Sequence, residues 1–209
     1  MTTTAIVGMT SVFDISGRIR RCLEDQTGRV FDPNLFTLGG MHFAELGGGT
    51  RKVSDRHFTK AIETAFARDG SLIELLPGAR DGLAILAKNY SEVRLVSPSA
   101  LTTWVEMDES IMLGAIISQN LGSLIDRVDC DTDHNGSMLI DLMSMADLVV
   151  DSTPSNLARL AANDNRRTFW VRPEDNAPGW RVVTSSRQCP PGAIPIPALR
   201  DVGAHLIAA

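Results

Sequence analysis

Two aspartates and a serine cluster at the ends of apolar runs are the residues of this chain best placed to do chemistry. Asp14 closes the run from Ala5 to Phe13, Asp151 closes the run Leu148-Val-Val150, and Val93 to Val96 ends on hydroxyls in Ser97-Pro98-Ser99. Short Ile/Val/Leu-rich runs without polar alternation read as parallel strands covered on both faces. Their ends then lie at the carboxyl edge of an open sheet, where loops and helix N-termini converge on ligands and supply backbone donors to anions. A carboxylate there is a candidate catalytic group. The competing reading is that Asp14 and Asp151 cap the helices that follow them, since aspartate is a preferred N-cap residue.

The elements that must position these residues follow in order. Gly17 begins a turn into Arg18–Asp25, where Ile19, Cys22 and Leu23 take helical spacing and Arg18, Arg20 and Arg21 face solvent. From Asp32 to Leu76 the chain reads as an inserted, mostly helical lobe. Glycine pairs and triplets at 39–40 and 47–49 break its first half, and Asp55–Arg68 forms a helix with Phe58, Ile62, Ala65 and Phe66 on one side. Pro77-Gly78 opens an amphipathic helix through Leu83 and Leu86, and Val93–Val96 is the strand it feeds. Trp104–Leu121 reads as helix, Asp126–Gly136 as a solvated acidic loop, and Ala146–Asp151 as a strand followed by a capped helix. Phe169–Val171 and Arg181–Val183 read as two further strands, Cys189–Ala198 as proline-rich extended coil, and Ala198–Ile207 as a last short helix.

Composition narrows the function classes. A length of 209 residues suits one α/β domain with a small insertion, and a net charge of −5 with no basic block disfavours binding to a nucleic-acid duplex. Cys22, Cys130 and Cys189 are widely spaced and fit a reducing cytoplasm, while His42, His57, His134 and His205 form no metal-binding pair. The clustered Asp129, Asp131 and Asp133 lack the glycine and glutamate of a calcium loop. No signal peptide and no membrane span is expected.

Taken together, Phe13-Asp14-Ile-Ser16-Gly17, Leu76-Pro-Gly-Ala79, Ser97-Pro98, Trp104-Val105 and Asp147-Leu-Val-Val-Asp151-Ser-x-Pro-x-Asn156 resemble the haloacid dehalogenase superfamily of phosphohydrolases, in particular its 5'(3')-deoxyribonucleotidase-like branch. The resemblance implies a Rossmann-like parallel sheet flanked by helices, with a core of residues 1–31 and 77–209 and a helical cap at 32–76 inserted after the first strand. It implies a magnesium-dependent phosphohydrolase acting on a small phosphorylated molecule, such as a nucleotide. Asp14 becomes the nucleophile that takes the phosphoryl group, and Ser16 stands at the acid–base position. Ser97, Ser99 and His134 face phosphate, and Mg2+ is held by Asp14, Ser16, Asp147 and Asp151. A metal held by carboxylates would neutralise charge on the transferring group.

The pattern also has gaps. Ser16 replaces the second aspartate expected two residues after the nucleophile, and Ser152 replaces the second acid of the last motif. Lys52, Lys60 and Lys88 all precede Ser97, so the expected phosphate-binding lysine is missing, with Arg127 the remaining nearby cation. These gaps support a second reading: a phosphatase-like pseudoenzyme kept for binding a ligand or a partner protein. A homodimer is compatible with either.

Overall fold

The computed structural model describes residues 2–31, 55–66, 72–97, 109–130, 137–160, 167–171 and 189–206. The strands are β1 (Thr4–Gly8), β2 (Glu92–Val96), β3 (Arg127–Asp129), β4 (Leu148–Asp151), β5 (Arg167–Val171) and β6 (Ala193–Ile196). They form one sheet in the order β3-β2-β1-β4-β5-β6, every pairing parallel. The described α-helices are α1 (Ile15–Thr27), α2 (Asp55–Phe66), α3 (Ala79–Asn89), α4 (Glu109–Ser118), α5 (Ser137–Ser144), α6 (Pro154–Leu160) and α7 (Val202–Leu206). This is the Rossmann-like α/β sheet that the sequence implies.

The two central strands are the most apolar, as strands covered on both faces must be. Successive side chains point to opposite faces, so β1 and β4 feed two cores. Ala5, Val7, Leu148 and Val150 join a large core with Ile19 and Leu23 of α1, Ala61 and Ile62 of α2 and Leu83 and Leu86 of α3. Ile6 and Val149 join a smaller core on the other face with Leu139, Met143, Leu157 and Trp170.

Several boundaries differ from those read in the sequence. The apolar run 5–13 is not one strand: β1 ends at Gly8, Met9–Ser11 forms a 3-10 turn, and Phe13 pairs antiparallel with Leu75. Apolar, buried residues stand on both sides of the turn, Ala5–Val7 before it and Val12 and Phe13 after it, so hydrophobicity alone does not mark where the strand stops. The stretch read as acidic loop supplies β3, whose Asp129 accepts from Arg94 Nε at 2.9 Å and Nη2 at 3.0 Å across the pairing with β2. The tail read as extended coil supplies β6, where Pro195 is tolerated because an edge strand has one side without a ladder partner.

The segments at residues 12–14 and 74–76 run side by side. Asp14 N donates to Glu74 O at 2.8 Å, and Leu76 N donates to Val12 O at 2.8 Å. Helix α1 packs on α2, with Gln26 Nε2 donating to Thr64 Oγ1 at 3.2 Å. The rest of residues 32–76, the expected strand 181–183 and all of 101–108 and 131–136 lie outside the described residues.

Candidate functional site

The sheet register decides which residues share the carboxyl edge. Gly8 is paired with Val96 of β2, and Val7 with Val150 of β4. The next residues at this edge are therefore Gly8 itself, Ser97 and Asp151. Two of the three strand tips expected from the sequence stand there. The third is glycine, and Asp14 lies six residues further on.

Asp151 is 2% exposed. Its Oδ2 accepts from Asn156 Nδ2 at 2.9 Å and its Oδ1 from Thr153 N at 3.1 Å. The Ser152 N–H and the Thr153 hydroxyl also stabilise its charge, yet burial outweighs these donors and pushes the carboxyl above its ordinary pKa. Beside it, Ser152 Oγ donates to Thr10 Oγ1 at 2.6 Å, and Trp170 Nε1 donates to Ser152 O at 3.3 Å. The tip of β1 and the tip of β4 are thus tied by a hydroxyl pair. Ser97 is fully buried, and its backbone N donates to Asp129 O at 3.0 Å.

Asp14 has a different setting. It is the N-cap of α1: Oδ1 accepts from Gly17 N at 2.9 Å, and Oδ2 lies 3.3 Å from Arg21 Nη1. Arg21 Nη2 also lies 3.3 Å from Glu74 Oε2, so one guanidinium joins the start of α1 to the returning chain. The capping alternative weighed for Asp14 therefore describes its contacts, and the placement of Asp14 at a strand tip is corrected. Asp147 is corrected as well. It sits at the amino edge, where Oδ2 accepts from Thr4 N at 2.7 Å, and the whole of β4 separates it from the tip that holds Asp151. The side chain of Ser16, together with Ser99 and His134, lies outside the described residues. Arg127 is an exposed partner of Asp129 at 3.1 Å.

Among the described residues, no group of three His, Cys, Asp or Glu side chains gathers in a way that could hold a metal ion. Sequence reasoning gave no role to Gly8 or Thr10, and quoted Asn156 only as the end of the last motif. The usable signal was spacing: Gly8-Met-Thr10 has the two-residue interval that the resemblance expects of nucleophile and acid, and it stands at the true end of the strand.

Solved structures resemble the chain over nearly its whole length. An L-2-haloacid dehalogenase from Xanthobacter autotrophicus aligns at 12% identity with a TM-score of 0.58, covering 99% of each chain. A haloacid dehalogenase-like family hydrolase from Xanthomonas campestris aligns at 12% identity and TM-score 0.55, covering 100% of this chain and 95% of that one. A HAD-type protein from Bacillus subtilis, solved bound to magnesium, aligns at 9% identity and TM-score 0.57, covering 100% and 99%. No protein-family model matches the sequence, and no curated protein matches it. The chain has the fold of the haloacid dehalogenase-like hydrolases.

Proposed function

We propose that this chain is a haloacid dehalogenase-like protein that has given up aspartyl-phosphate chemistry and works as a ligand-binding or protein-interaction module. The observation that carries this reading is Gly8. The resemblance requires the nucleophile at the first strand's carboxyl tip, and the residue there has no side chain. Thr10, two residues on, has a hydroxyl already engaged with Ser152 in place of an acid that could protonate a leaving group. Covalent catalysis needs an activated nucleophile within reach of a base, and Asp14 is engaged with Gly17 N and Arg21 instead.

A second reading keeps the hydrolase: a magnesium-dependent phosphomonoesterase of a small phosphorylated molecule using Asp14. It is supported by the likeness to hydrolase structures, one of them solved with magnesium. Phosphate release from a broad phosphomonoester panel in the presence of Mg2+ separates the two. No turnover above a heat-treated control is expected, and turnover that disappears in Asp14→Asn establishes the hydrolase instead. A reducing cytoplasm is the proposed setting, supported by three cysteines of which none forms a disulfide. No described helix is long and apolar enough to cross a membrane.

A further inference from the structure

We infer that the carboxyl edge of this sheet is closed by its own side chains, with Asn156 and the Thr10–Ser152 hydroxyl pair holding the tips of β1 and β4, and that it accepts no divalent cation. The inference goes beyond the loss of phosphoryl transfer, because a metal can bind where no reaction occurs. It rests on the donors that surround Asp151.

Magnesium demands near-octahedral oxygen ligation and takes one or two carboxylates with their lone pairs free. Two described carboxylates end strands at this edge: Asp129, at the tip of β3, is already paired with Arg94 and Arg127, and on Asp151, at the tip of β4, N–H and O–H donors of its own turn and of α6 converge: Asn156 Nδ2, Thr153 N, Ser152 N and the Thr153 hydroxyl. These donors point positive hydrogens at the oxygens a cation would need. The carboxylate also leans onto β1, where a β-carbon on Gly8 would lie 2.5 Å from Asp151 Oδ1. The Thr10 and Ser152 hydroxyls are tied to each other, Ser152 Oγ donating to Thr10 Oγ1 at 2.6 Å. Asp14 already has a cation, Arg21. Asn156, 8% exposed, occupies a lone pair of Asp151 Oδ2 with an amide N–H at 2.9 Å, and is a positioning residue rather than a ligand-contacting one.

The test measures metal binding and stability. Thermal melts of the whole chain with EDTA and with millimolar MgCl2 are expected to coincide. Mn2+ is expected to cause no selective broadening of backbone amide signals at residues 8–10 and 151–153. Asn156→Ala and Thr10→Val are each expected to melt several degrees lower, with no recovery on adding Mg2+. A Mg2+-dependent rise in the wild-type melt with Mn2+ broadening at these amides overturns the inference, as does an Asn156→Ala protein that melts like wild type. The wild-type titrations decide the metal question even if a variant fails to fold. Metal binding without turnover would sink this inference and leave the proposed function standing, whereas metal-free hydrolysis would do the reverse.

Discussion

Gly8 and Asp151 face each other across β1 and β4 so closely that a side chain on one excludes the present position of the other: a β-carbon at Gly8 would stand 2.5 Å from Asp151 Oδ1 and 3.0 Å from its Cγ. Both residues sit in packed backbone at the sheet edge, where overfilling costs about 1–3 kcal/mol. Gly8→Ala should therefore destabilise the protein by about that amount, and Gly8→Asp by more, because it adds a second carboxylate. Shortening Asp151 to alanine should relieve part of the cost, with a coupling of about 0.5–3 kcal/mol in a double-mutant cycle. Urea denaturation of the four proteins measures it. Strictly additive effects would show that the two residues do not compete for space.

Asp14 is assigned to a cap, and its substitutions should follow capping chemistry. Asp14→Ala removes the acceptor for Gly17 N and should cost about 0.5–2 kcal/mol, whereas Asp14→Asn, an equally good cap, should cost little. Arg21→Ala should cost at most about 1 kcal/mol, because its side chain is 36% exposed and solvent screens the pair. Chemical denaturation of the three variants checks the ranking. Equal losses for Asn and Ala at position 14 would mean that the charge, and not the cap, is what matters there.

The sheet was legible where burial and periodicity agree. The runs of β2, β4 and β5 are short, β-branched and bounded by turn residues, and α1 and α3 carry their apolar positions at helical spacing. Strands β3 and β6 escaped because edge strands of three and four residues need few apolar side chains; Arg127 and Asp129 in one and Pro195 in the other resemble loop. The strand tips at Ser97 and Asp151 were legible for the same reason that β2 and β4 were. The strand end was misplaced at Asp14 because Val12 and Phe13, beyond the 3-10 turn Met9–Ser11, are as buried and apolar as the strand before it, which made a strand of five residues look longer. That error moved the first strand's tip from Gly8 to Asp14, and the proposed function turns on the difference.

The crossing of α3 under the C-terminal segment provides an independent check on the packing. Helix α3 approaches Leu199 at Gly82, where a β-carbon would lie 2.5 Å from the Leu199 carbonyl carbon and 2.7 Å from its oxygen. The obstacle is backbone, so it cannot swing aside as a flexible side chain would. Gly82→Ala gains helix propensity of up to about 1 kcal/mol but should be destabilised overall, since separating α3 from the segment 199–206 also uncovers Leu83, Leu199 and Val202. A lowered melting temperature with faster amide exchange in α7 is the expected pair of results. A variant as stable as wild type would place the crossing elsewhere.

Burial of Asp151 makes stability depend on pH in a direction opposite to that of an ion-paired carboxylate. Its folded pKa lies above the ordinary value of 3.8, chiefly through desolvation, with Asn156 and Thr153 offsetting only part of that effect. Between the two values the folded state binds the proton more tightly than the unfolded chain does, so stability falls as pH rises across this window. The contribution is complete below 3.8 and is lost once pH passes the raised folded value. Asn at this position cannot titrate, and the other carboxylates are common to both proteins. The stability of wild type relative to Asp151→Asn should therefore increase steadily as pH is lowered from neutral toward 4, and urea midpoints taken at half-unit steps would follow it. A difference that shrinks on acidification would mean that Asp151 is held as a stabilised anion, as a carboxylate awaiting a cation would be.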